Sequence, residues 1–175
     1  RWFDYKNAVA DFDESQQEAF ALYIDNLGIK IEDVSDVQEM VDNFEEAYQG
    51  EFKNMEDFAY SLVDDLGIDN IGNIDSYFDY DSFVRDLESD GWVVADEDDA
   101  EKYPDEYPDG PGIYDPSGEL YEGYDSLTEL AGSWMDEGVI GEEQKKNYFD
   151  YGKFARDLEY GGDYYERNGH VFRNI

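Results

Sequence analysis

"YFDYDSFVRDLESDG" at residues 77–91 returns as "YFDYGKFARDLEYGG" at 148–162, with ten of fifteen positions identical at an offset of 71. In both copies an acid, Asp79 or Asp150, stands where a helix N-cap belongs, because a short carboxylate can accept the first free backbone N–H groups. Phe83, Val84 and Leu87, or Phe154, Ala155 and Leu158, then recur on one helical face. Gly91 and Gly162 stop the two helices. Strands are expected next, at Trp92-Val93-Val94 and at Tyr164-Tyr165.

Each copy is preceded by a longer helix. Asn54 with Asp57 opens the first, Met55, Phe58, Ala59 and Leu62 form its apolar stripe, and Gly67 ends it. Ser126 and Glu129 form a capping-box pattern for the second, whose stripe is Leu127, Leu130, Ala131 and Trp134 before Gly138. Asn168-Gly169 in "YYERNGHVFRNI" predicts a type I′ hairpin, and Pro116 to Gly118 in "GIYDPSGELY" predicts another turn. "DEDDAEKYPDEYPDGPG" holds three of the four prolines and reads as an extended acidic connector.

Residues 13–50 read as two helices. Asp13 caps "ESQQEAFALYIDNLG", which Gly28 ends. In "IEDVSDVQEMVDNFEEAYQG", Val34, Val37, Val41, Phe44 and Tyr48 fall at helical spacing, and Glu32, Asp36, Glu39 and Glu46 line the opposite face, with Asn43 interrupting. This is either a solvated face or a carboxylate ladder for a partner. "WFDYKNAVADF" is a fainter third echo of the repeated stretch. The expected fold class is α+β: an elongated series of small domains made of short helices plus small antiparallel sheets and hairpins. Its divisions are a mostly helical segment at 1–47, a first repeat with its acidic connector at 48–110, and a second repeat ending in a β-hairpin at 111–175.

Composition narrows the function. With 41% hydrophobic and 17% aromatic residues in 175, the chain can build real cores despite a mean hydropathy of −0.80. Forty-seven Asp and Glu against twelve Lys and Arg leave a net charge of −35, which destabilises a folded chain by self-repulsion and calls for a use. No Cys is present, which excludes disulfides, thiolate catalysis and Cys-based metal sites. No apolar run approaches the ~20 residues of a membrane span. The chain starts at Arg1 without a Met, so a preceding piece is one expectation. A basic patch for nucleic acid or anionic membrane is excluded, and the fitting partner is cationic: a protein that itself binds nucleic acid.

No catalytic pair is singled out among so many acids, and no phosphate loop or nucleophile elbow occurs. His170 is the only histidine, placed beside the final turn, where a cross-strand or surface role is expected. Arg85 and Arg156 are expected to pin acidic helices by local ion pairs. "DNIGNIDSYFDYDS" and "DEDDAEKYPDE" are rich in oxygen ligands but lack the EF-hand order, leaving calcium binding as a rival to partner binding. Halophilic adaptation, with the acids serving only to hydrate the surface, is a further rival. B-DNA carries one charge per ~1.7 Å of axis, so this charge matches roughly 60 Å of duplex. A rounded 175-residue body would be only about 40 Å across. A DNA-shaped decoy is therefore physically sensible.

"FEEAYQGEFKNMEDFAYSLVDDLG" at 44–67, "YFDYDSFVRDL" and "YFDYGKFARDLEYGGDYYERNGHVFR" together resemble the ArdA antirestriction family, over most of 31–98 and again over 119–173. The resemblance implies an elongated homodimer whose acids imitate the phosphates of bent B-form DNA. It implies carriage by mobile elements and phages, action in the host bacterial cytoplasm, and occupation of the DNA-binding cleft of type I restriction–modification enzymes without chemistry or cofactor. Asp79, Asp86 and Glu88, with Asp150, Asp157 and Glu159, lie in the matching motif. With Asp81, Asp90, Asp163 and the Glu32–Asp36–Glu39–Glu46 ladder, they are the candidate phosphate surrogates. The family's opening strand region with Tyr-Asn-x-Gly has only "RWFDY" as its counterpart, and the duplicated C-terminal motif departs from the family pattern. A missing or diverged N-terminal domain and a different target, such as a Cas effector, are therefore alternative expectations.

Overall fold

The computed structural model describes residues 2–175, with side chains from Tyr5 onward; Arg1, on which the expectation of a preceding piece rests, lies outside the described residues. The chain up to Asp65, joined by Tyr151–Ile175, makes one unit, and Leu66–Asp150 makes a second. The first contains α1 (Trp2–Ala8), α2 (Glu14–Asn26), a 3-10 turn at Ile31–Asp33, α3 (Val37–Ala47), β1 (Tyr48–Glu51) and α4 (Met55–Leu66). From the far end of the chain it takes α10 (Tyr151–Tyr160), β5 (Tyr164–Arg167) and β6 (His170–Arg173). The second contains a 3-10 turn at Ile68–Asn70, α5 (Ile74–Tyr77), α6 (Tyr80–Asp90), β2 (Val93–Ala95) and α7 (Glu97–Lys102). It continues through β3 (Gly112–Tyr114), β4 (Leu120–Tyr121), α8 (Leu127–Asp136) and α9 (Glu142–Asn147). Helices with two small antiparallel sheets, ordered β1-β6-β5 and β2-β3-β4, give the expected α+β class.

Most helix ends follow the local signals. Asp13 accepts from the Gln16 N–H at 2.7 Å while the Gln16 side chain accepts from the Asp13 N–H at 3.0 Å. Asn54 accepts from the Asp57 N–H at 2.9 Å, and Asp79 accepts from the Ser82 N–H at 3.1 Å. At α8 the box is displaced: Ser126 accepts from the Glu129 N–H at 3.0 Å, but Glu129 reaches back to the Asp125 N–H at 3.0 Å. Asn168 and Gly169 both have positive φ, 53° and 86°, which turns β5 into β6 as a type I′ hairpin requires. Asp115 organises the other hairpin by accepting from the N–H groups of Ser117 and Glu119, each at 2.9 Å.

Two local expectations are corrected. The helix through Phe44 does not run on to Tyr48 and beyond; it ends at Ala47, and Tyr48–Glu51 pairs with β6. Gly50 at φ 118° cannot continue a helix, and the free edge of β6 supplies tertiary partners for the strand. The acidic connector is not extended throughout, because Glu97–Lys102 is helical. There Asp96 accepts from the Asp99 N–H at 2.7 Å and Asp99 accepts from the Asp96 N–H at 3.1 Å. First-turn acids and Lys102 in the last turn suit the helix dipole.

The repeated stretches meet each other. Phe78 and Phe149 form an antiparallel bridge; the Asp79 N–H donates to the Tyr148 carbonyl at 2.7 Å, and the Asp150 N–H donates to the Tyr77 carbonyl at 2.6 Å. Identical tetrapeptides thus satisfy each other's backbones reciprocally. Beyond the bridge the packing is crosswise. The first copy's α4 packs with the second copy's α10 around Met55, Phe58, Ala59 and Ala155. The second copy's α8 packs with the first copy's α6 around Phe83, Leu87, Ala131 and Met135. The segments 48–110 and 111–175 accordingly each contribute elements to both units.

The N-terminal helices share one aromatic core with β6: Phe20, Phe44 and Phe172 are fully buried there. Burying each such ring contributes about 1.5–3 kcal/mol.

Candidate partner-binding surface

A carboxylate stays outside a core unless a cation or several donors accompany it, because burying an unpaired charge is prohibitive. The described residues obey that limit. Among the described residues no Asp or Glu is buried, and His170 is the buried polar side chain.

All thirteen candidate acids are exposed, but their placement differs from the expectation on α3. Glu32 lies in the preceding 3-10 turn and Asp36 is the N-cap, accepting from the Glu39 N–H at 3.0 Å. Only Glu39 and Glu46 of that ladder sit on the helix itself. On α6, Asp79 caps the helix and Asp81, Asp86, Glu88 and Asp90 project along it. Asp150 immediately precedes α10, which carries Asp157 and Glu159, and Asp163 follows it. Arg85 does not make the expected carboxylate pair; its Nε donates to the Asp81 carbonyl at 3.4 Å.

Several acids are held by neighbours. Asp79 is pulled below the usual carboxylate range, first by the Ser82 hydroxyl donating at 2.6 Å, then by the Ser82 N–H and the Arg85 charge. Asp115 is lowered in the same way, first by the Ser117 hydroxyl at 2.6 Å. The Tyr80 hydroxyl donates to Asp75, and burial followed by that bond raises the phenol well above its ordinary value. The Tyr148 hydroxyl donates to Asp86, and this bond, then burial and the charges of Asp86 and Asp90, push Tyr148 up to about 12. A phenol raised in the folded state stabilises it fully below the unfolded value of ~10 and loses that contribution as pH climbs through the folded value. Asp86→Asn is therefore expected to move the Tyr148 titration downward, read from tyrosinate absorbance against a Tyr148→Phe blank. An unmoved titration would show that the hydrogen bond is not its main cause.

Sequence reading missed two features. His170 is wholly buried, not at the surface, although its cross-strand setting holds: Nδ1 lies 2.8 Å from the Tyr48 hydroxyl on the neighbouring strand. Its Nε2 faces Glu18 Oε2 at 3.4 Å, an ion-pair distance without a well-formed hydrogen bond. The helical spacing assigned to Tyr48 concealed this pairing. The second feature is a cleft of about 670 Å³ in the Leu66–Asp150 unit, where Asp96, Glu97, Asp109, Glu122 and Asp125 surround Leu120 and Tyr121. Its acids come from the connector and from β4 onward, which no local pattern links.

Among the described residues, no group of three or more His, Asp or Glu side chains is placed to hold a metal ion. Among them also, no helix is long and apolar enough to cross a membrane.

The family model for antirestriction protein (ArdA) matches residues 3–102. The chain belongs to the ArdA family. Membership supports an antirestriction role: the family is one of inhibitor proteins, and it implies interaction with restriction–modification enzymes. The ArdA match takes in the whole of 31–98 and reaches back to residue 3, so it includes Glu32 through Asp90 of the candidate acids. It stops before 119–173, leaving Asp150, Asp157, Glu159 and Asp163 outside the matched stretch, and the duplication of the C-terminal motif is not shown by it. Comparison with curated proteins and with solved structures gives no match.

Proposed function

We propose that this ArdA protein inhibits by imitating DNA: its carboxylates stand in for phosphates and occupy the DNA-binding groove of a type I restriction–modification complex in the bacterial cytoplasm. The observation that carries this reading is the separation of charge from core. Every described carboxylate is exposed or half-buried over apolar interiors, so the net charge of −35 is presented to whatever approaches. A groove evolved to neutralise phosphates with Lys and Arg gains the same electrostatic attraction from such a surface. Glu32, Asp36, Glu39, Glu46, the α6 acids and the α10 acids are the proposed surrogates, presented by a homodimer.

The test is competition. A type I methyltransferase core is bound to a labelled duplex carrying its recognition site, and the protein is titrated in. Stoichiometric release of the duplex is expected. A stable ternary complex of enzyme, duplex and protein would overturn the proposal.

A further inference from the structure

The end of α6 places Asp86 and Asp90 one turn apart, with Cβ atoms about 5–6 Å from each other. Both border a cleft of about 210 Å³ within the Leu66–Asp150 unit. Three aromatic rings wall it. The Phe83 ring stands edge-on to Tyr148, at 5.2 Å and 87°, and to Trp134, at 6.4 Å and 89°. Val139, 57% exposed, forms an apolar lip. The cleft is thus apolar at its walls and anionic at its mouth.

The flanking cations are turned elsewhere. Lys145 Nζ lies 2.9 Å from Asp69, and Arg85 Nε reaches the Asp81 carbonyl. Among the described residues, the lining contains no Lys or Arg. One carboxylate is also fixed in place, since Asp86 accepts from the Tyr148 hydroxyl.

A side chain that fits has a planar, delocalised cation to lie against aromatic rings, donors for two carboxylates and an apolar stem. Arginine has all three, whereas lysine offers a compact, strongly hydrated point charge. We propose that the α6–α8 cleft is a socket for one arginine side chain of the partner's cationic surface. The partner's identity rests on the DNA-mimic reading; the chemistry of the socket does not. Phosphate mimicry alone treats the carboxylates as interchangeable, whereas the socket singles out Asp86 and Asp90 together with Trp134 and Val139. The repeat supplies a contrast, because Asp90 corresponds to Gly161 in the second copy, which breaks the carboxylate pair there.

The direct experiment titrates the isotope-labelled protein with N-acetyl-arginine amide, its neutral citrulline counterpart and N-acetyl-lysine amide, following the Trp134 indole and Val139 methyl resonances. Saturable shifts at these groups are expected with arginine, at least about 5-fold weaker binding with lysine, none with citrulline, and loss of the arginine response in Asp90→Asn. Shifts spread evenly over the acidic surface, no saturable response, an unchanged Asp90→Asn response, or lysine binding as tightly as arginine would each overturn the socket. On the methyltransferase, Asp90→Asn should weaken binding about 10-fold or more, while the charge-matched Glu143→Gln costs less than about 3-fold. Equal losses would overturn the socket and leave phosphate mimicry standing. Failure of the wild-type protein to bind the enzyme would overturn the mimic reading, with the amide titration still deciding the socket.

Discussion

Phe44→Ala is expected to destabilise the unit containing the N-terminal helices by about 3–5 kcal/mol, the range for deleting a buried ring that its surroundings cannot refill. Phe44 is 1% exposed. Its ring centroid lies 5.2 Å from Phe20, 5.6 Å from Phe12, 5.7 Å from Tyr23 and 5.1 Å from Tyr48. It therefore joins α2, α3 and β1, and Phe172 at 6.3 Å adds β6. Tilted and edge-on aromatic pairs add about 0.5–1.5 kcal/mol each beyond area burial, so several such terms vanish together. The acidic surface leaves little reserve against this loss, because self-repulsion already weakens the folded state. The variant should consequently be most damaged at low ionic strength and partly rescued by added salt, which screens that repulsion. Urea unfolding followed by near-ultraviolet circular dichroism would measure both effects. A cost below about 1 kcal/mol would mean that α3 is not docked through this ring.

What could be read in advance was what depends on neighbours in sequence. The caps at Asp13, Asn54 and Asp79, and the Asn168-Gly169 turn, are set by a few residues each, and the structure contains them. The helix at Glu97–Lys102 belonged to the same class, since Asp96 and Asp99 are a legible capping pair; the surrounding prolines masked it. Long-range choices were different. Nothing in two copies of "YFDY" says that they pair with each other and not each within its own repeat, because identity specifies equal conformations and not partners. The crosswise packing of α4 with α10 and of α6 with α8 was hidden for the same reason. The strand at Tyr48–Glu51 required β6, more than a hundred residues later, and the burial of His170 required the same pairing. For the acids, exposure was predictable from the cost of burying charge, yet the neighbours of each were not: the Tyr148–Asp86 bond joins elements sixty-two residues apart.

Raising salt from about 50 to about 200 mM is expected to weaken binding to the methyltransferase by about 100-fold. This is less than the 10³–10⁵-fold loss seen for proteins making 6–10 phosphate contacts on DNA, because folded carboxylates carry no condensed counterion sheath to release. The Debye length shrinks from well over 10 Å to under 8 Å across that range, so attraction between exposed charges not in direct contact is largely lost. The same ions act on the free protein in the opposite direction, relieving repulsion among carboxylates and stabilising the fold. The two signs separate the readings of this composition. If the acids imitate phosphates, affinity falls with salt while the unfolding midpoint rises, and the two can be measured on one preparation by titration calorimetry and urea unfolding. If the acids serve only to hydrate a salt-adapted surface, binding is limited by how much of the chain is folded, and affinity rises with salt alongside stability. Affinity rising with salt would therefore remove phosphate mimicry as the source of inhibition. The socket carboxylates sharpen the comparison: attraction between Asp86, Asp90 and an arginine in direct contact is screened less than attraction at a distance, so Asp90→Asn should lower affinity while leaving the salt dependence of what remains little changed.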